Sequence, residues 1–241
     1  MRQPEDWRET KYVLRDGHLR ASRDARHLAP TSRLAADLVG RAYDSILPRY
    51  ASGRLLDFGC GTVPLYRAYR PFTTEVVCVD RTENLHVDVR CDLSAEVPLA
   101  SSSFDTILAS DVLEHLPNPT LTWGEFHRLL ASRGKVIANV PFCYGLHEEP
   151  YDYYRFTEYA LRLHAETAGF DVLLIQPIGG APEVLADVTG KVLASARFGT
   201  PAGVAVQSAA GLALRTRLGA RLSAKTARRF PLSYLIVAQK A

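Results

Sequence analysis

Four cysteines in 241 residues leave little for a metal or disulfide framework. Cys60, Cys78, Cys91 and Cys143 are scattered, with no C-x-x-C pair, so the sequence points to no zinc site and reads as free thiols in a reducing compartment. The formal net charge of +3 is too mild to imply nucleic acid by itself. The opening "MRQPEDWRETK" has no apolar core and does not read as a signal peptide. The longest charge-free run, Phe198 to Leu214, is rich in Ala and Gly and short for a membrane span. A cytoplasmic protein is the expectation. Internal repeats and strong low-complexity tracts are also missing.

The composition is that of a soluble globular chain, 47% hydrophobic and 23% charged, and its length suits one domain with an appendage. From residue 32 onward strands and helices alternate. "TSRLAADLVGRAYDSILPRY" carries Leu34, Leu38, Ala42 and Ile46 on one helical stripe. Buried strands read from "GRLLDFG", "EVVCVD", "SFDTILASD", "GKVIANVPF", "FDVLLIQPIG" and "PLSYLIVAQK". "VLEHL" reads as a helix start, Leu121 to Leu130 as a helix, and "TEYALRLHAETAGF" as a helix capped by Thr157 and stopped at Gly169. This alternation predicts an open, mostly parallel sheet with helices on both faces. Residues 1–31 are polar and irregular and read as no sheet element. Residues 181–230 hold helical patterns inserted before the last strand.

Ligands of such sheets bind at the carboxyl ends of the strands. There "LLDFGCGTVP" supplies Gly59 and Gly61, which let a ligand approach the backbone. The second strand ends in Asp80, placed to accept hydrogen bonds from ribose hydroxyls. The third glycine of a dinucleotide loop is missing, and Pro64 stands in its place. That counts against a pyrophosphate-bearing cofactor. Pro64 suits the first turn of a following helix.

Taken in order, "LLDFGCG", "VVCVD", "CDLSAEVPL", "FDTILASDVLEHL" and "GKVIANVPF" resemble a class I S-adenosylmethionine-dependent methyltransferase. "GCGTVPLYRAYR" and "HEEPYDYYRFTEYALR" resemble a bacterial subgroup acting on small molecules. The resemblance implies a Rossmann-like α/β sheet with an antiparallel last strand, and S-adenosylmethionine as cofactor. It implies that Asp57, Gly59 and Gly61 line the methionine part and that Asp80 binds the ribose hydroxyls, with Cys60 and Arg81 also in the cofactor-binding set. Asp92 and Leu93 would meet the adenine, and Ser110 and Asp111 would face the methionyl end. Asp92 has a second reading, as a helix N-cap. In similar enzymes a segment like residues 1–31 folds over the site, and Trp7, Tyr12 and His18 are the groups that could cover it. A disordered tail is the other reading.

The acceptor side reads from "PFCYGLHEEPYDYYRFTEY", a loop dense in titratable and aromatic groups. His147 is the expected general base, its ordinary pKa lying near neutrality. Tyr151, Tyr154 and Arg155 complete the candidate catalytic set. The competing reading pairs Asp152 with Arg155 and leaves His147 as a loop residue. Glu114 and His115 read as braces of a helix start. The expected reaction is methyl transfer to a small molecule, at oxygen by virtue of His147, with nitrogen and carbon open. A non-methylating enzyme such as a cyclase is the alternative. No N-P-P-Y or D-P-P-Y tetrapeptide follows the fourth strand, which argues against a nucleic-acid substrate. Arg215, Arg217, Arg221, Lys225, Arg228 and Arg229 follow the apolar run without an intervening acid. They read as a solvated face, a dimer helix, or a peripheral contact with an anionic membrane. Monomer and homodimer both stand.

Overall fold

Seven strands form the central sheet of the computed structural model, which describes all 241 residues. In chain order, after two strands of an N-terminal hairpin, these are β3 (Gly53–Phe58), β4 (Thr73–Asp80), β5 (Val89–Arg90), β6 (Phe104–Ser110), β7 (Leu130–Pro141), β8 (Phe170–Ile178) and β9 (Ser233–Lys240). Across the sheet they lie in the order β5-β4-β3-β6-β7-β9-β8. β3 pairs in parallel with β4 and β6, and β6 with β7. β9 runs antiparallel to both β7 and β8, between them. The sheet is thus mostly parallel with its last strand reversed, as expected.

Both faces of the sheet are covered, so its strands read as continuous apolar runs. Leu56 and Phe58 point into one core of 26 buried residues, with Trp123 and Phe126 opposite. Leu55 points into a second core of 25, with Tyr43, Leu47 and Tyr69. Near-equal cores on the two faces make a three-layer sandwich. Trp123 is fully buried edge-on to Phe126 and Phe170; truncating a side chain of this size in such a core costs about 3–5 kcal/mol.

The helices that cover the sheet are α1 (Arg33–Tyr50), the single turn α2 (Tyr66–Tyr69), α3 (Pro119–Leu129) and α4 (Glu158–Thr167). Leu34, Ala42 and Ile46 of the predicted stripe on α1 are buried. Thr157 caps α4 by accepting from the Ala160 N–H at 3.1 Å, and Gly169 ends it with φ of +86°. α3 starts two residues earlier than expected, at Pro119, because Asn118 caps it through the Leu121 N–H. "VLEHL" is one 3₁₀ turn, Leu113–His115, and starts no α-helix. Pro64 lies in a turn ahead of α2, which is too short to be the full helix anticipated after it.

The N-terminal segment departs from expectation. It contains a hairpin, β1 (Tyr12–Arg15) and β2 (His18–Ala21), packed on α1. Asp16 and Gly17 turn with positive φ, and Asp44 and Asp37 of α1 accept the Leu19 and Ala21 N–H groups. Those aspartates tie the β2 backbone to the helix, so a polar stretch still forms a strand pair. Trp7 is buried and donates its indole N–H to the Val63 carbonyl at 3.0 Å. Tyr12 is buried, while His18 is exposed beside Asp44 and covers nothing.

Between β8 and β9 stand α5 (Ala181–Ser195), α6 (Thr200–Ala213) and α7 (Arg217–Thr226). α6 crosses α5 closely: a Cβ on Gly203 would collide with the Gly190 carbonyl oxygen. The buried Gln207 donates to the Thr31 carbonyl at 2.6 Å and ties α6 to the entry of α1. No helix is long and apolar enough to cross a membrane.

Candidate active site

Two cavities meet at the carboxyl ends of β3, β4, β6 and β7. The larger, about 980 Å³, is an open groove between the β3 turn, the β4 end and the 3₁₀ turn after β6. Gly59, Gly61, Asp80, Arg81, Asp92, Leu93 and Asp111 of the expected cofactor set line it. Gly59 holds φ of +72°, and a Cβ there would come within 2.6 Å of the Val112 side chain. Gly61 has open space where a Cβ would stand, so a ligand can approach its backbone closely, while its carbonyl accepts from the Asn84 side chain at 2.8 Å. The Asp80 carboxylate accepts the Gly61 N–H at 2.9 Å and the Thr82 N–H at 2.8 Å. It therefore fixes the glycine turn as well as facing the groove.

Three expected cofactor residues do not line the groove. Asp57 shares the face of β3 that carries Leu55; it is buried and accepts a hydrogen bond from the Tyr69 hydroxyl at 2.8 Å. Burial pushes its pKa up to about 7, with the Tyr69 bond opposing and Asp80 adding to the rise. Cys60 is buried in the same core beneath the turn. Ser110 falls on the Leu108 side of β6 by strand alternation and lines neither cavity.

Asp92 accepts from the Ser94 N–H and hydroxyl, which hold its pKa below the ordinary value. That is an Asx turn, with no helix following. Arg81 stacks over the Tyr151 ring at 4.4 Å, closing the groove across from the glycines.

The smaller cavity, about 270 Å³, lies behind the groove under the N-terminal hairpin. Lys11, Tyr12, Asn139, Tyr144 and His147 supply polar groups to it, and Ala35, Ala36 and Val39 of α1 an apolar wall. Asp111, His115 and Glu148 line both cavities. Asp111 holds φ of +55°, an uncommon backbone for a non-glycine residue. Its carboxylate accepts from Asn139 and pairs with Lys11 at 2.8 Å. Burial lowers the Lys11 pKa, but Asp111, with Tyr12 and Tyr144, more than offsets it, so the pKa is raised and the ammonium is held charged. Burial pushes Tyr12 up to about 12. Lys11 thus pins the hairpin onto the site; neither its role nor that of Asn139 was anticipated.

His147 sits between two carboxylates, 3.3 Å from Asp152 and 3.6 Å from Glu114. Its pKa is raised, first by Glu114, against burial, and further by Asp152. Glu114 is fully buried, 3.7 Å from His115, and neither carboxylate oxygen has a partner at hydrogen-bond length. Burial raises its pKa. The donor atoms of Glu114, His115 and His147 lie within 4.8 Å of one another. That spacing allows a shared proton and is within reach of a divalent cation; no spacing in the sequence signalled it. The backbone carbonyl of Glu114 accepts the Tyr153 and Tyr154 N–H groups, and the His115 ring meets the Tyr151 carbonyl at 2.9 Å. Glu114 and His115 therefore anchor the acceptor loop, where a brace of a helix start was expected.

Arg155 and Tyr154 do not reach either cavity. Arg155 is held by both oxygens of Asp152, at 2.6 and 2.7 Å. Tyr154 donates its hydroxyl to the Pro117 carbonyl at 2.8 Å. Tyr151 does line the groove.

A family model described as a methyltransferase domain matches residues 7–174, more than half of the chain. The chain belongs to this methyltransferase-domain family. Its matched region runs from the N-terminal strap through the glycine turn to β8. The chain is also 32% identical over 112 residues to a ubiquinone biosynthesis O-methyltransferase of Xanthomonas euvesicatoria pv. vesicatoria. That match covers 39% of this chain and 46% of the relative, so it spans about half of the relative's length. Solved structures show the same fold. An S-adenosylmethionine-dependent methyltransferase from Mesorhizobium loti is 15% identical with a TM-score of 0.56, covering 86% of this chain and all of that one (100%). One from Archaeoglobus fulgidus is 18% identical, TM-score 0.56, over 84% of this chain and 93% of that one. The cyclase SpnF is 18% identical, TM-score 0.55, over 96% of this chain and 86% of that one.

The groove fits an adenosine-bearing amino acid cofactor on its own geometry. Its volume lies within the roughly 300–1,000 Å³ usual for small-molecule sites. Its glycine backbone is open to a ligand, and acids stand at the ends of β4 and β5. No third glycine is present to cradle a pyrophosphate.

Proposed function

We infer that this methyltransferase moves a methyl group from S-adenosylmethionine to an oxygen of a small molecule held in the smaller cavity. The observation that carries the reading is the junction at Asp111, His115 and Glu148, where the groove opens onto a second cavity lined by His147. The cofactor supplies an electrophilic methyl on a sulfonium. The residues of the chain do the rest. Gly59 and Gly61 admit the ligand against the backbone, and Asp80 and Asp92 offer carboxylates to hydroxyl and amino groups. Asp111 places negative charge at the junction. Tyr12 and Tyr144 limit the shape of the acceptor, and alignment of acceptor with methyl can supply much of the rate.

His147 takes the acceptor proton, and Glu114 and Asp152 stabilise the imidazolium that forms. Because those carboxylates raise its pKa, His147 is a competent base only above that raised value, so turnover should rise with pH. The name of the Xanthomonas relative supports an oxygen acceptor. The chain's subgroup motifs support a small-molecule substrate and leave nitrogen and carbon acceptors to the assay. A non-methylating reaction is the second reading, favoured by the near full-length fold match to a cyclase.

Calorimetry with S-adenosylhomocysteine tests the groove, and a labelled-methyl screen of phenols, sugars and related metabolites tests the reaction. Absence of a calorimetric signal with either form of the cofactor would overturn the cofactor assignment. Binding with conversion of an acceptor but no label transfer would select the cyclase-type reading.

A further inference from the structure

Asp187 is the last acidic residue of the sequence; residues 188–241 contain no Asp or Glu. The same stretch holds Lys191, Arg197, Arg215, Arg217, Arg221, Lys225, Arg228, Arg229 and Lys240. Lys191 pairs with Asp187, but none of the six cations from Arg215 to Arg229 forms an ion pair. On α7, Arg217, Arg221 and Lys225 follow at i, i+4 and i+8 and make one stripe. Leu218 and Leu222 make the adjacent stripe and are 78% and 50% exposed. Gly219 and Ser223 face the body of the protein, where the Ser223 hydroxyl donates to Glu183. Phe198 at the foot of α6 is 85% exposed, and Phe230 after α7 is also exposed. Leucines beside a cationic stripe on a short helix, with exposed phenylalanines nearby, suit the boundary between lipid headgroups and acyl chains.

We propose that α7 and its flanking turns dock on an anionic lipid surface, with Leu218, Leu222 and the phenylalanines entering the headgroup boundary and the cations meeting lipid phosphates. Charge selects this occupant. Two copies meeting through this face in a twofold dimer would set arginines against arginines, with no acid between them. A nucleic acid would neutralise the cations but leave the exposed leucines in water. The docked face also bears on the site, because the chain leaves α7 for Leu232 and Ser233, which line the smaller cavity.

Co-sedimentation of the full chain with phosphatidylcholine vesicles, with and without phosphatidylglycerol, tests this. Binding is expected only with the anionic lipid and should weaken as salt rises. Arg217→Glu/Arg221→Glu/Lys225→Glu should lower partitioning at least about a hundredfold, since each cation near such a surface contributes about fivefold. Arg217→Lys/Arg221→Lys should retain binding, and Leu218→Ser/Leu222→Ser should weaken it at every salt concentration. Circular dichroism and S-adenosylhomocysteine calorimetry confirm that each variant is folded. If the charge-reversed chain fails to fold, the wild-type dependence on lipid charge and salt decides alone. Equal sedimentation with both vesicle types, or none with either, overturns the proposal. So does a dimer by light scattering that the triple variant abolishes, or salt-dependent RNA binding tighter than vesicle binding.

Discussion

Replacing Asp57 by Asn isolates one buried carboxyl and changes how stability depends on pH. Asp57 is 4% exposed, with the Tyr69 hydroxyl as its side-chain partner. Its pKa is about 7 in the fold against 3.8 ordinarily. The folded carboxyl is therefore raised, and the folded state binds a proton that the unfolded chain has already released. Stability contributed by the protonated form is fully present below about pH 4 and lost as pH rises through about 7. At about 1.4 kcal/mol per pH unit, the ionised carboxyl costs the fold about 4 kcal/mol above pH 7. Between about pH 5.5 and pH 8 the part lost is about 2 kcal/mol. For a chain of this size that is about 4–8 °C in Tm. The amide of Asp57→Asn would keep an acceptor for Tyr69 and remove the titration. Thermal unfolding followed by circular dichroism at both pH values should show the variant gaining about 4–8 °C on the wild type at the higher pH. Affinity for S-adenosylhomocysteine should stay within a few-fold, because Asp57 does not line the groove. A Tm difference that does not change with pH would refute the burial argument.

His147→Ala should lower kcat about 10²–10⁴-fold while leaving the calorimetric Kd for S-adenosylhomocysteine unchanged; unchanged turnover would remove it from catalysis. Dialysis against EDTA should leave turnover intact, since an imidazolium can compensate Glu114; loss restored by added zinc or manganese would assign the Glu114–His115–His147 cluster to a cation. Gly59→Ala should destabilise the fold by about 1–3 kcal/mol, measured by urea unfolding, through positive φ and the Val112 contact. Val112→Ala in the same chain should recover part of that loss. Lys11→Met should increase proteolysis within residues 1–21 and raise KM for the acceptor, because the hairpin loses its tie to Asp111.

The strands were legible because burial on both faces demands unbroken apolar runs, and Asp80 and Asp111 at the ends of two of those runs mark the binding edge. Thr157 and Gly169 gave up the bounds of α4 by local chemistry alone. What sequence could not show is direction and distance. Asp57 and Gly59 are two residues apart, but the Asp57 side chain is held inside the strand on the Leu55 face, while Gly59 lies past the strand end and turns with φ of +72° at the groove. Glu114 and His147 lie on different loops, and only the pairing of β6 with β7 brings them together. The hairpin over residues 12–21 was hidden because its backbone bonds go partly to Asp37 and Asp44, acids that read as the solvent face of α1. Tyr154 and Arg155 looked catalytic by type, yet neighbouring loop groups claim their polar atoms.

The reversed strand β9 has an evolutionary consequence. β8 and β9 form an antiparallel pair whose ladder fixes its own register, so the connection between them need only begin and end at one sheet edge. An insertion there leaves the glycine turn and Asp80, which belong to other strands, in place. The three helices between Ile178 and Ser233 occupy that splice point. A change in these helices therefore reaches the acceptor side of the site through Leu232 and Ser233, while the glycine turn and Asp80 stay as they are.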